Sequence, residues 1–123
     1  MAHILIVDDN LDACQPLAKL LRYVGHDGVC VTSGEEALHY VRSHPVELIL
    51  LDVMMPGMDG LEVLRILRSE DRFSKLPVIM FSAVADPQFR EHALSKGADD
   101  YWVKASFDFS TIKERLQPFV GAA

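Results

Sequence analysis

Asp8 and Asp9 close the apolar run ILIV, and Asp52 closes ELILL. Ser82 follows Phe81 at the end of another run, and Lys104 follows Val103. Three carboxylates brought to one place repel one another, so at least one holds its proton more tightly unless a cation is present. An incompletely caged set of hard oxygens suits Mg²⁺, which keeps several waters and accepts substrate oxygens. With that charge in place, a carboxylate can attack phosphorus, because metal and ammonium offset the charge growing on the equatorial oxygens. These residues therefore read as a nucleophile, metal ligands, a hydroxyl donor and a lysine clamp. Taken singly, each has an ordinary reading as a helix cap, a solvated loop or a surface cation. Their recurrence at the ends of four separate runs argues against coincidence.

The elements that must position them are legible from period. Apolar runs at 4–7, 28–32, 46–51, 77–81 and 101–103 have strand length. The two clearest are apolar throughout, as expected for strands buried on both faces of a parallel sheet. Segments of helical period lie between them. Ser33 followed by Glu36 fits a capping box ahead of Ala37, Leu38 and Val41. Asp86-Pro87 places a capping carboxylate before proline at a first helical position, with Lys96-Gly97 as the stop. Leu61, Val63, Leu64 and Leu67 form one stripe, and a last helix is expected over about 111–119 with Ile112, Leu116 and Phe119 inward. Leu17, Leu20, Leu21 and Val24 keep period in the first helix. Pro16 would cost about 3 kcal/mol in its interior, so an early turn or a kink is expected there. Five βα units with right-handed crossovers imply a three-layer α/β sandwich.

Bulk properties narrow the class. The 123 residues suit one domain, and 50% hydrophobic with 24% charged residues describes a globular chain able to bury a core. A formal net charge of −6 argues against nucleic acid as partner, since phosphate backbones reward clustered Lys and Arg. No stretch approaches the roughly 18 consecutive apolar residues of a membrane span, and MAHILIVDD does not read as a signal peptide. Cys14 and Cys30 lack metal-ligand spacing, and the expectation is buried reduced thiols in a cytoplasmic protein, with a disulfide as the other possibility. The five histidines (3, 26, 39, 44 and 92) show no metal spacing either.

The motifs IVDDN at 6–10, LLDVMMPGMDG at 50–60, FSA at 81–83 and GADDYWVK at 97–104 together resemble the receiver domains of bacterial response regulators, along essentially the whole chain. The resemblance implies a flavodoxin-like, five-stranded parallel sheet of order 2-1-3-4-5, and residues 1–123 as a single receiver domain with no output domain. It implies Asp52 as phosphoacceptor, served by a sensor histidine kinase or a histidine phosphotransfer protein. Asp8, Asp9, Asp52 and the backbone carbonyl of Met54 would hold Mg²⁺. Ser82 would hydrogen-bond the phosphoryl group, Lys104 would pair with it, and Tyr101 would be the switch aromatic that turns inward behind Ser82. A downstream protein target would read the result; the chain would not be a conventional enzyme. Pro56-Gly57 and Asp59-Gly60 read as turn chemistry. Met54, Met55 and Met58 could serve either a partner patch or packing. The chain departs from the family pattern at Ala105, where proline usually follows the lysine. A non-proline cis bond costs roughly 2.5–4 kcal/mol, so a trans peptide is expected.

Two enzyme-like alternatives fail on chemistry. A phosphatase of the haloacid dehalogenase type needs a second Asp two residues past its nucleophile, but Val53-Met54 follow Asp52 and Asn10 stands two past Asp8. In a flavodoxin, DDNLD after strand one would repel the phosphate of a flavin nucleotide. The remaining alternative is a receiver-like binding module that works without phosphorylation.

Overall fold

The alternation of side chains along each run explains the architecture of the computed structural model, which describes residues 1–120. Odd and even positions of every strand face different helices, so each run must be apolar on both sides. The strands are β1 (His3–Val7), β2 (Asp27–Val31), β3 (Leu48–Leu51), β4 (Val78–Ser82) and β5 (Asp100–Val103). The helices are α1 (Leu11–Tyr23), α2 (Gly34–Ser43), α3 (Gly60–Ser69), α4 (Pro87–Ser95) and α5 (Ile112–Val120). All strands pair in parallel in the order β2-β1-β3-β4-β5, as expected.

One core layer joins Leu5, Val7, Ile49, Leu51, Val78 and Met80 to Ala37, Leu38, Val63, Leu64 and Leu67 from α2 and α3. The other joins Ile4, Ile6, Leu48, Leu50, Ile79 and Phe81 to Leu17, Ala18 and Leu21 of α1 and Ile112 and Leu116 of α5. Phe119 is partly buried against this second layer. Expected strand ends shift by a residue or two. β3 begins at Leu48 rather than Val46, because its ladder with β1 starts at the Ile4–Leu48 pair.

Caps mostly follow the sequence, with instructive differences. The Ser33 hydroxyl accepts from the Glu36 N–H, but the Glu36 carboxylate takes its bond from the Thr32 hydroxyl, so only half of the capping box forms. Asp86 caps α4, and Gly97 ends it at φ +111°. Asp59 is a helix cap rather than only a turn residue: its carboxylate accepts from the Glu62 N–H and opens α3. Pro16 lies inside α1, in its second turn on the exposed side, where the Asp12 carbonyl that loses its donor can meet water.

The reading of Cys14 and Cys30 as reduced thiols is corrected. The two are disulfide-bonded, with Cα atoms 6.1 Å apart, because α1 lies directly over β2 and brings its second turn above Cys30.

Candidate functional site

Register alone gathers the chemistry-bearing residues at the carboxyl edge of the sheet. Val7 pairs with Leu51, so Asp8 and Asp52 leave their strands level with each other, and the Asp52 N–H donates to the Val7 carbonyl at 2.9 Å. Ser82 pairs with Val103, and the Lys104 N–H donates to the Ser82 carbonyl at 2.8 Å. An open parallel sheet binds its ligands beyond this edge, at the switch in strand order.

One oxygen from each of Asp8, Asp9 and Asp52 lies within 4.8 Å of the others. Asp8 and Asp52 are buried while Asp9 is exposed. The Lys104 ammonium donates to Asp8 Oδ2 at 2.6 Å and to Asp52 Oδ2 at 3.3 Å. Asp8 Oδ1 also accepts from the Asn10 N–H, and Asn10 in turn caps α1. Burial pushes the Asp52 carboxyl above its ordinary value, and the Asp8 charge adds to that push against the opposing Lys104. Burial lowers Lys104, but its hydrogen bond to Asp8 and the charges of Asp52 and Asp8 outweigh this and leave it raised. Three carboxylates against one ammonium leave two negative charges on an all-oxygen donor set, which fits a hard divalent cation.

The remaining expected residues lie close by but are engaged elsewhere. Ser82 is fully buried, and its hydroxyl accepts from the Val84 N–H at 3.1 Å. Tyr101 is already inside, 4% exposed, with its hydroxyl donating to the Val84 carbonyl at 2.7 Å. The N–H of Met54 points at Asp52 Oδ1 from 3.4 Å, while the residue as a whole is 65% exposed. Met55 is buried, and Met58 packs against the core, so two of the three methionines serve packing. The Lys104–Ala105 peptide is trans.

Several supports were not legible. Gly60 is required by space, since a Cβ there would lie 2.2 Å from the Asp52 carbonyl oxygen; the only signal was glycine just after Asp59. Asp100 accepts from the Trp102 indole at 2.9 Å, and Trp102 stacks on Phe107 with centroids 4.7 Å apart. Phe81 meets Trp102, Phe107 and Phe109 edge-on. A cavity of about 270 Å³ runs from Asp8, Asp52 and Lys104 between α1 and Phe109.

The sequence model of the response regulator receiver domain matches residues 4–117. The chain is 40% identical over 101 residues to the DNA-binding response regulator MtrA of Mycobacterium tuberculosis, covering 82% of this chain and 43% of that protein. It thus spans less than half the length of the curated relatives it matches. Among solved structures it is similar to the response regulator TrrA of Thermotoga maritima in complex with Mg²⁺-BeF (34% identity, TM-score 0.84, covering 97% and 99% of the two chains). It is also similar to the receiver domain of the sensor histidine kinase PA1611 of Pseudomonas aeruginosa, with magnesium in its active-site cleft (28% identity, TM-score 0.87, 98% of each chain). The family model covers nearly the whole chain and the solved receiver domains superpose along its length, so this chain belongs to the response regulator receiver domains.

Proposed function

We propose that Asp52 accepts a phosphoryl group from a phosphohistidine of a sensor histidine kinase or a histidine phosphotransfer protein. One Asp52 carboxylate oxygen forms the new bond to phosphorus as the phosphorus–nitrogen bond to the donor imidazole breaks. The observation that carries this reading is the placement of a buried Asp52 between Asp8, the exposed Asp9 and the Lys104 ammonium. Asp8, Asp9, Asp52 and the Met54 backbone carbonyl would hold Mg²⁺, which when bound supplies positive charge against the phosphoryl oxygens. Lys104 would turn from the carboxylates to a phosphoryl oxygen, and Ser82 would donate its hydroxyl to another. Tyr101 would then register the movement of Ser82 at a surface read by a protein target. Residues 1–123 would work as one cytoplasmic receiver unit through protein contacts rather than by binding nucleic acid or membrane. None of these steps turns over a separate substrate.

Acetyl phosphate with Mg²⁺ should add one phosphoryl mass to the intact protein, and Asp52→Asn should abolish the gain. Labelling of that variant at similar yield would refute the acceptor. An unlabelled parent chain would favour the binding module that works without phosphorylation.

A further inference from the structure

We propose that Cys14 and Cys30 form a thiol–disulfide exchange site whose state sets how firmly the Asp8–Asp9 segment is held; this coupling rests on the acidic-site reading above. The bridge joins the second turn of α1 to β2, an edge strand of the sheet. Cys14 is 1% exposed, whereas Cys30 is only partly buried, so an incoming thiolate reaches Cys30 first. Accessible bridges are the ones that exchange, and in a reducing compartment such a bridge senses redox state rather than serving as a permanent staple. The thiolate of a small dithiol or of glutathione attacks Cys30 Sγ, the Cys14 sulfur leaves and takes a proton, and a second thiolate resolves the mixed disulfide. The small molecule leaves oxidised and two protein thiols remain; the same steps reversed, with a disulfide as oxidant, restore the bridge.

The local structure says why this bond matters to the site. Pro16 leaves α1 one hydrogen bond short in the turn that carries Cys14. Further along, α1 is held tightly without help: Gly28 of β2 approaches so closely that a Cβ there would meet Leu21 at 3.1 Å and the Ala18 backbone at 3.2 Å. The bridge therefore pins the one weak turn, and Asn10 at its start donates its N–H to Asp8. Cys14 also lines the cavity that ends on Asp8 and Lys104.

The test equilibrates the folded full chain in glutathione buffers of graded composition, quenches exchange with acid, labels the thiols with excess N-ethylmaleimide in denaturant because Cys14 is buried, and weighs the intact protein. The expected result is reversible passage between a species with two labels and one with none. In the reduced form, amide exchange over 9–16 should quicken several-fold while 17–23 stays unchanged, and Mg²⁺ affinity by calorimetry should fall several-fold. Cys14→Ala with Cys30→Ala in oxidising buffer should match the reduced parent. A bridge that opens only after denaturation, or reduction that leaves both amide exchange and Mg²⁺ affinity unchanged, overturns the proposal. If neither state binds Mg²⁺, the acidic-site reading fails instead, and the amide-exchange difference over 9–16 alone decides.

Discussion

Lys104 holds Asp8 more closely than Asp52: its ammonium is 2.6 Å from Asp8 and 3.3 Å from the proposed acceptor. Before any phosphoryl group arrives, its main electrostatic duty is to compensate two buried carboxylates. Removing one partner of a buried ion pair costs about 3–5 kcal/mol, and the partial exposure of Lys104 brings the expected loss for Lys104→Ala to about 2 kcal/mol. Urea unfolding in EDTA measures it, and Mg²⁺ should restore much of the loss by supplying the missing charge. A variant as stable as the parent in EDTA would show that the pair is solvated and contributes little.

Asp52 gives a pH dependence of definite sign. Burial first, then the Asp8 charge, raises it above its ordinary value of 3.8, against the pull of Lys104. A carboxyl group raised in the folded state contributes stability that is fully present below its unfolded pKa and is lost as pH rises through the folded one. In EDTA, Asp52→Asn should therefore be more stable than the parent at pH 7, with the gap closing as pH falls toward 3.8. Midpoints of urea unfolding across that window decide the matter. A variant less stable than the parent at pH 7 would mean that the Lys104 attraction outweighs burial.

Strand ends are legible because their apolar runs stop abruptly at charged or hydroxyl residues, and position alone places Asp8, Asp9, Asp52, Ser82 and Lys104 at the carboxyl ends of β1, β3, β4 and β5. Which carboxylate Lys104 prefers was not readable, since the choice depends on how a flexible four-carbon stem crosses from β5 to β1. The sequence favours reduced thiols over the disulfide because a 16-residue spacing carries no signature; only the docking of α1 over β2 brings the sulfurs together. Glu36 shows the limit of motif reading, for its carboxylate had a second donor in Thr32 and took it. Trp102 and Phe107 lie in different local segments, and their stacking follows from the path of the chain after Lys104.

For metal binding, Asp9 should matter most. Asp8 is already committed to Lys104 and to the Asn10 N–H, whereas Asp9 is exposed and has no hydrogen-bond partner for its side chain among the described residues. Asp9→Ala should weaken Mg²⁺ binding by about tenfold or more, since one of few direct carboxylate ligands is lost. Calorimetry measures it directly. Trp102, buried against Phe81 one residue from Val103, offers a fluorescence signal to check the same titration. Equal affinity in the variant would remove Asp9 from the ligand set.

The lifetime of the proposed acyl phosphate should be long. Hydrolysis needs a water in line with the phosphorus–oxygen bond, and polar side chains near the acceptor can orient it. Met54 and Val84 stand two residues past Asp52 and Ser82, and neither side chain can orient or deprotonate water. Met54→Asn combined with Val84→Glu should speed loss of the label several-fold, followed by intact mass after removal of the phosphodonor. Decay that is unchanged or slower would show that these positions do not govern water access.

The switch should run through Val84. Its N–H donates to the Ser82 hydroxyl and its carbonyl accepts from the Tyr101 hydroxyl, so one residue joins the two proposed switch side chains. A dianion on Asp52 should draw the Ser82 hydroxyl toward it, and the Val84 N–H would then lose its partner and the β4–α4 segment would shift. Tyr101 is already packed inward beside Phe89 of α4, so the ring should follow the moving Val84 carbonyl rather than swing in from solvent. This is a population shift between two packings of one fold. Amide NMR with beryllofluoride, a mimic of the phosphoryl group, should show shifts spreading from Asp52 and Ser82 through Val84 to Tyr101 and into α5. Tyr101→Phe keeps the ring but removes its bond to Val84, and should shrink the shifts in α4 and α5 while leaving those at Asp52 intact. The trans Lys104–Ala105 peptide lets the loop toward α5 relax without an isomerisation, so one set of α5 resonances should appear in each state. Shifts confined to the loops around Asp8 and Asp52 would mean that the anion binds without moving this face, and the switch role of Tyr101 would fall.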